Sequence, residues 1–395
     1  MCGLSSLRSG LPDRFHTLIG KKDLPQQQLA DWCHKNREIS FMYLKKLMKN
    51  AALLLCSIAM ISAGGEVHGM EIQAKKIPLG SIDGACVGNA QNNEGKTGVT
   101  VLCFPKGAKT GIDISSGGPA SRETPVLEPT REDIGIHAIV LSGGSAYGLA
   151  AADGVMACLE ENGIGLDTGF ALVPLVVQSC IYDLSYGSAT VRPDKAMGYE
   201  ACLNALKKNN PQSGSIGAGT GATVGKMCGM KQSQKSGIGY YAMQIGDLKI
   251  GAVVVVNAMG DVYAEGRKIA GLMNESRTEY IDSTRAFYKI AAPKDLPSRT
   301  NTTIGAIITN GRFEKAQLTR IAQQAGNAYA RCINPVGTLT DGDTVYASSC
   351  GEQVTADVNM AGTLAAEVMA KAIERAITSS QMDDEEYLSY CLDCR

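Results

Sequence analysis

A hydroxyl-rich segment late in the chain has residue types that could supply a catalytic nucleophile. Residues 301–304 (Asn-Thr-Thr-Ile) lead into an apolar stretch, and residues 341–343 (Asp-Gly-Asp) follow about forty positions later. A threonine at a chain start holds its own α-amino group, with a pKa of about 7.7–8.0, next to its hydroxyl. That amine can accept the hydroxyl proton without a histidine. The segment therefore predicts cleavage between Asn301 and Thr302, although Asn-Thr-Thr is also a common strand entry and a glycosylation sequon.

The histidine inventory limits the alternatives. The chain has four histidines, His16, His34, His68 and His137. A serine triad would have to use His68 or His137, and neither an HExxH motif nor a cysteine–histidine zinc spacing occurs. His137 lies in an apolar run and is expected in or beside a strand. We expect no metal and no organic cofactor.

The overall composition favours small-molecule or peptide chemistry. The chain has 395 residues, of which 44% are hydrophobic and 19% charged, and its formal net charge is -1. A globular fold is therefore expected, and no basic field or aromatic-interleaved basic patch is present to bind nucleic acid. The 45 glycines and 5% aromatic residues suit tight turns and close packing of helices on sheets.

The amino-terminal region resembles a targeting segment. Lys45, Lys46 and Lys49 precede an apolar run over 51–63, which is the pattern of a signal peptide and is too short for a comfortable membrane span. We therefore expect a signal peptide over 42–63, preceded by a misassigned start or unstructured residues at 1–41. We expect the mature protein to be exported to the periplasm without stable membrane association, or to be cytoplasmic if the signal is unused.

Apolar runs alternate with small-residue helical patterns and predict a layered α/β architecture. The predicted strands are 99–104, 138–141, 250–257, 304–309 and 344–347, and the predicted helices are 146–161, 197–208, 315–333 and 361–377. Residues 266–301 are polar and punctuated by proline, which is typical of an exposed processing linker. The predicted hydrolase domain thus consists of an α chain over 64–301 and a β chain over 302–395.

Three other motifs point to weaker alternatives. The glycine-rich run 217–226 is not a phosphate loop, because Thr220 and Met227 replace the required glycine and hydroxyl residue. It could instead deliver a lysine into a site. Ser145 lacks the final glycine of a nucleophile elbow and is expected in a helix cap or first turn. The C-terminal CLDC sequence is more typical of a local disulfide or frayed tail than of a redox pair.

Six segments, in order, resemble one family. They are 138–148, 181–185, 217–226, 254–257, 301–304 and 341–344. Together they look like peptidase family S58, which includes the DmpA-type L-aminopeptidase/D-esterases, the β-peptidyl aminopeptidases and the nylon-oligomer endohydrolases. The resemblance extends over roughly residues 76 to 375. The family's self-processing amide hydrolases cut themselves before a serine or threonine, which corresponds to the Asn301–Thr302 bond.

The resemblance also assigns roles to individual residues. It implies that Thr302 is the nucleophile for self-cleavage and catalysis, and that Asp341 and Asp343 orient and polarise its amine and hydroxyl. Asn257 would donate to the oxyanion, as an amide side chain can. A threonine with paired aspartates resembles the nylon-oligomer branch more than the branches that use a serine with a Ser/Glu pair.

Two further positions and the assembly follow from the same resemblance. Lys226 and Tyr182 would supply electrostatic and hydrogen-bonding support to the site. The implied fold is a four-layer αββα sandwich of the DmpA/ornithine-acetyltransferase type, self-cleaved into two chains and assembled as a homo-oligomer, commonly a tetramer. The implied substrates are short peptides or small amides and esters.

Two alternatives remain open at this point. One is an acyltransferase like the self-cleaving ornithine acetyltransferases, which share this architecture. The other is a secreted binding protein that never cleaves itself.

Overall fold

The structure, a computed structural model, describes residues 73–289 and 301–392. The predictions for 1–41 and 42–63 lie outside these residues. In the described part of the chain, no helix is long and apolar enough to cross a membrane. The strands are β1 Lys75–Ile77, β2 Cys86–Asn92, β3 Thr97–Ile114, β4 Ala120–Arg122, β5 Ile136–Ser142, β6 Leu166–Asp167, β7 Leu172–Val173, β8 Val176–Cys180, β9 Thr223–Val224, β10 Gln234–Lys235, β11 Ile238–Ile245, β12 Leu248–Asn257, β13 Asp261–Ala264, β14 Arg267–Ala270, β15 Thr302–Gly311, β16 Ile333–Asn334 and β17 Thr344–Val354. The α-helices are α1 Ala151–Glu161, α2 Lys195–Lys208, α3 Ser283–Tyr288, α4 Lys315–Cys332, α5 Val358–Thr378 and α6 Asp384–Ser389.

One long strand, β3, belongs to two sheets. Its first half pairs with β2 and β5, and its second half pairs with β17, with a register shift between Cys103 and Ala108. The first sheet has the order β1-β11-β12-β15-β17-β3, and the second continues through β3-β5-β8-β4 with β2 on the other side of β3. The β15–β17 and β5–β8 pairs are parallel.

Strand alternation separates three apolar cores. In β12, Val254 and Val256 pack into a core with α4 and α5, whereas Val253 and Val255 face a core shared by the two sheets. On the second sheet, Val140 and its neighbours pack against α1 and α2. Because strand side chains alternate between faces, each sheet buries one face on helices and the other on its partner sheet. The layers are therefore helix, sheet, sheet and helix, as the resemblance implied.

Small residues permit the close approach of the helices. A Cβ built on Gly88 of β2 would lie 2.1 Å from the backbone nitrogen of Ala205 in α2. A Cβ on Gly154 of α1 would lie 1.8 Å from the carbonyl oxygen of Lys195. Neither position can accept a larger residue without moving a helix, which explains part of the high glycine content.

The predicted strands and helices are present, but β3 extends to Ile114 rather than ending at 104, and β17 extends to Val354 rather than ending at 347. The helix predicted over 146–161 begins as a 3-10 turn, Ser145–Ala150, and becomes α1 only at Ala151. Ser145 is the first residue of that turn, with a positive φ of 55°, and its side chain does not cap the helix. Gly144 precedes it with a φ of 82°, which glycine adopts at little cost.

The exposed linker predicted over 266–301 needs correction where it is described. Residues 267–270 form β14 and residues 283–288 form α3. The buried carboxylate of Asp261 accepts hydrogen bonds from the backbone N–H of Leu272 and Ser283 and forms an ion pair with Lys268 at 2.7 Å. These contacts fold the start of the segment and Ser283 against the domain, whereas most residues over 274–282 are exposed, as the polar composition predicted. Residues 290–300 lie outside the described residues.

Candidate active site

Thr302 is the first residue of β15, an interior strand that lies between β12 and β17. Its residue is only 5% exposed, and it faces Asn257 across the antiparallel β12–β15 pair. The side chains of Ile304 and Ala306 on the same face of β15 pack in the core between the sheets. Because side chains alternate along a strand, the Thr302 side chain lies on the face of β15 toward the second sheet rather than on the face toward the helices.

The carbonyl group before Thr302 has two donors. The backbone N–H of Gly342 donates to the carbonyl oxygen of Asn301 at 3.2 Å, and the Thr302 hydroxyl donates to the same oxygen. Asn301 also forms a parallel bridge with Asp341. The peptide bond predicted to be cut is thus buried. Its carbonyl oxygen accepts hydrogen bonds from a backbone N–H and from the Thr302 hydroxyl.

Gly342 leaves no room for a side chain. A Cβ at this position would lie 2.9 Å from Thr302 Oγ1 and 2.9 Å from the carbonyl oxygen of Gly118. The loop that contains Gly118 follows β3, and the N–H of Gly118 donates to the carbonyl oxygen of Asp341 at 2.7 Å. The glycine between the two aspartates therefore lets the loop come close to the predicted nucleophile.

The two aspartates flank Gly342 and are both buried. Asp343 accepts from the N–H of Thr303 at 2.6 Å and from the N–H of Gly337 at 3.0 Å. Asp341 accepts from the N–H and hydroxyl of Thr338 at 2.8 and 2.7 Å. Burial raises the pKa of both carboxyl groups, and the neighbouring Asp341 raises that of Asp343 further.

Asn257 links the other predicted residues. Its Oδ1 accepts from Lys226 Nζ at 2.9 Å and from the N–H of Thr223 at 3.1 Å. Its Nδ2 donates to the backbone carbonyl of Tyr182 at 2.9 Å. Lys226 Nζ also donates to the Asn257 carbonyl at 3.1 Å. The structure thus brings Asn257, Lys226 and Tyr182 together with Thr302, and the contribution of Tyr182 here is its backbone oxygen.

A tight backbone contact positions Lys226. Gly225 has a φ of 74°, and a Cβ on it would lie 2.1 Å from the carbonyl carbon of Gly271. The N–H of Lys226 donates to the carbonyl of Met259 at 3.0 Å. Burial lowers the pKa of Lys226 to about 7, whereas Asp341 and Asp183 raise it. The glycine-rich run thus delivers a buried lysine, as its sequence suggested.

Asp183 is a buried acid that the sequence interpretation missed. Its Oδ2 accepts from the Thr97 hydroxyl at 2.6 Å, and its Oδ1 accepts from the N–H of Gly144 at 2.7 Å. Burial raises the pKa of Asp183 to about 6, whereas these two donors and Lys226 lower it. Asp183 directly follows Tyr182 in one of the matched segments, and this adjacency was the available signal. Its partners are distant in sequence, so its burial could not be seen there.

Lys235 is a second missed residue. Its Nζ donates to the carbonyls of Gly219 and Ala222, both at 3.1 Å, and to that of Ser236. Burial lowers its pKa to about 7. These bonds hold the glycine-rich turn just before Thr223, whose N–H reaches Asn257. Lys235 is therefore a positioning residue for the site.

The competing motifs have structural roles. His137 lies in β5, as predicted, and its Nδ1 accepts from the N–H of Leu175 at 3.1 Å. The Cys391 thiol donates to the carbonyl oxygens of Met230 and Tyr387, both at 3.6 Å, and Cys394 lies outside the described residues. Among residues 73–289 and 301–392, no group of three or more His, Cys, Asp or Glu side chains could hold a metal ion.

Comparison with known proteins identifies the family. The sequence profile described as Peptidase family S58 matches residues 79–387. The chain belongs to this family. It is 35% identical over 312 residues to an uncharacterized aminopeptidase of Mycobacterium leprae, covering 72% of this chain and 83% of the relative. It is also 35% identical over 308 residues to the 6-aminohexanoate-oligomer endohydrolase of Kocuria sp. strain KY2, covering 74% of this chain and 84% of that protein.

Solved structures agree on the fold of this S58 protein. The L-aminopeptidase D-Ala-esterase/amidase of Ochrobactrum anthropi, described as a variant of the Ntn hydrolase fold, has a TM-score of 0.58 at 17% identity. The match covers 78% of this chain and 92% of that structure. A Burkholderia β-aminopeptidase has a TM-score of 0.53 at 19% identity, with coverage of 78% and 92%. The predicted αββα fold and family are confirmed, and the chain is a hydrolase of the class that acts on peptide or amide bonds.

Proposed function

We propose that this S58 hydrolase uses Thr302 as an N-terminal nucleophile and creates it by cutting the Asn301–Thr302 bond. The observation that carries the proposal is the buried carbonyl of Asn301, which accepts from the Gly342 N–H and from the hydroxyl of Thr302. A backbone N–H at this oxygen stabilises the charge that develops when the carbonyl is attacked. These two contacts support a cleavage in which Thr302 attacks this peptide bond and the Gly342 N–H stabilises the developing charge.

The proposed self-cleavage consumes one water molecule. The Thr302 oxygen bonds to the Asn301 carbonyl carbon, the carbon–nitrogen bond breaks, and the hydroxyl proton ends on the released Thr302 nitrogen. Water then hydrolyses the resulting ester, which frees the Asn301 carboxylate and restores the hydroxyl. The product is a threonine with a free amine beside its oxygen.

The same nucleophile would then act on substrates. The Thr302 amine accepts the hydroxyl proton during attack on an amide or ester carbonyl, and the proton passes to the leaving group. Water resolves the acyl-enzyme. The buried Asp341 and Asp343 lie next to Gly342 and Thr303, where they can orient the new amine. The names of the relatives, an aminopeptidase and an oligomer endohydrolase, support short peptides and small amides as substrates.

We also propose the homo-oligomeric assembly, commonly tetrameric, that the family resemblance implies, with export by the amino-terminal signal. Measuring the molecular mass of the cleaved protein in solution tests the assembly. Sequencing the amino terminus of the protein isolated from cells tests export. A monomer, or a cytoplasmic protein that retains residues 42–63, would contradict them.

The test of self-cleavage uses intact masses of chains expressed from Met42 and from residue 64. We expect two fragments that meet at Asn301–Thr302, none in Thr302→Ala, and slower cleavage in Thr302→Ser. A single uncut mass in the unchanged protein would overturn the proposal and favour a binding role. Acetyl transfer from N-acetylornithine to glutamate, without amide hydrolysis, would instead favour the acyltransferase.

A further inference from the structure

The side chain of Asn301 is buried without hydrogen bonds. The residue is 2% exposed, and neither Oδ1 nor Nδ2 has a partner within the described chain. The hydroxyl of Thr303, which alternation puts on the same side of the chain, is also buried and unpartnered. Buried amides are nearly always hydrogen-bonded, because an unmade bond is unfavourable. The surroundings of the Asn301 side chain in the described chain thus supply no hydrogen bond to its amide.

This side chain belongs to an acyl group. During the proposed self-cleavage, the Asn301 acyl group is transferred to Thr302 Oγ, and the resulting ester is the same chemical species as an acyl-enzyme formed from a substrate. The Gly342 N–H that binds the Asn301 carbonyl oxygen would bind the substrate's carbonyl oxygen in the same way. The substituent next to that carbonyl therefore occupies the same subsite in both reactions.

We propose that the subsite now filled by the Asn301 side chain is a specificity site for apolar acyl groups. Resting on the proposed nucleophile Thr302, this inference names the substrate class: amides whose acyl residue carries an aliphatic side chain of about the size of leucine. Leucine and asparagine side chains are close in shape, but only asparagine leaves polar atoms unpaired in such a subsite. Asn301 itself is tolerated because self-cleavage is intramolecular and needs no affinity.

A substrate pair tests the proposal on the unchanged, cleaved enzyme. L-leucine p-nitroanilide and L-asparagine p-nitroanilide differ chiefly in the polarity of the acyl side chain. We expect kcat/KM to be about tenfold or more higher for the leucine compound, because an unpaired buried amide is worth at least that factor. Equal kcat/KM values, or a higher value for the asparagine compound, would overturn the proposal and indicate an ordered water that hydrogen-bonds to the amide.

A stability measurement tests the subsite without using activity. In a Thr302→Ala background that stays uncut, Asn301→Leu removes the unpaired amide and keeps the side-chain size. We expect its Tm to rise by about 2 °C or more. Asn210→Leu, at an exposed position, is the control and should leave the Tm unchanged.

The two measurements separate failure of the inference from failure of the proposed function. A Tm for Asn301→Leu equal to or below that of its parent would overturn the apolar subsite. If neither anilide is hydrolysed although self-cleavage proceeds, the proposed substrates are wrong, and the Tm comparison decides the character of the subsite. If Asn301→Leu does not fold, the kinetic comparison on the unchanged enzyme decides.

Discussion

Asn257 and Thr302 face each other across the antiparallel pair of β12 and β15. The pairing fixes the amide of Asn257 beside the proposed nucleophile, because cross-strand neighbours lie about 4.5–5.5 Å apart between their Cβ atoms. Lys226 donates a hydrogen bond to the amide oxygen, and the backbone carbonyl of Tyr182 accepts one from the amide nitrogen. The orientation of the amide is therefore set by tertiary contacts rather than by the strand alone.

Replacing Asn257 with aspartate tests the donor role of this amide. Asn257→Asp keeps an acceptor for Lys226 and for the Thr223 N–H but removes the side-chain N–H. We expect self-cleavage and kcat to fall by about 10²–10³-fold, the usual loss of an oxyanion donor, with a smaller change in KM. Intact-mass time courses and steady-state kinetics measure this. Unchanged rates in a variant with an unchanged Tm would contradict the donor role.

Adding one methyl group at Gly342 tests the close approach to Thr302. In Gly342→Ala the Cβ meets Thr302 Oγ1 and the Gly118 carbonyl at 2.9 Å, so the loop must shift. We expect the uncut chain to accumulate, with self-cleavage slowed about 100-fold or more. The control is Gly326→Ala in α4, where the nearest atom would be 3.5 Å away and alanine favours the helix. Normal cleavage in Gly342→Ala would show that the contact is unimportant.

The buried charge of Lys226 should make stability depend on pH. Its folded pKa is lowered to about 7 from an ordinary value of 10.5, so between these pH values the unfolded chain binds more protons. Stability contributed at this position therefore rises as pH increases from 7 towards 10. In the Thr302→Ala background, the Tm of the parent minus that of Lys226→Met should grow between pH 7 and 9.5. A constant difference would mean that the pKa of Lys226 is not lowered.

Asp183 should give a pH dependence of the opposite sign. Burial raises its pKa to about 6 from an ordinary value of 3.8, so the folded chain binds more protons between these values. Stability contributed by Asp183 is therefore lost as pH rises from about 4 to 6. We expect the Tm of the Thr302→Ala parent, relative to that of the same chain with Asp183→Asn, to fall over this interval and then level off. A difference that rises with pH would instead indicate a carboxylate stabilised by Lys226.

Much of the fold could be predicted because its signals are local. The apolar runs of β5 and β12 and the small-residue helix α1 are visible in short windows of sequence, since burial imposes a regular spacing on each element. The segment after β13 was misinterpreted for the opposite reason. Its polar composition predicted exposure throughout, but the buried Asp261 accepts from the Leu272 N–H and the Ser283 hydroxyl, and no local window of sequence shows these contacts.

The sequence by itself determined the family, the layered α/β class and the proposed nucleophile, because residue type and chain order suffice for them. Only the tertiary structure decided which groups meet Thr302. The Gly342 N–H at the Asn301 carbonyl, the buried Asp183 and the unpaired Asn301 amide depend on contacts between residues that are mostly far apart in the chain. Desolvation and hydrogen bonding set the pKa values and decide which buried polar groups have partners. Both arise only when these distant segments pack together.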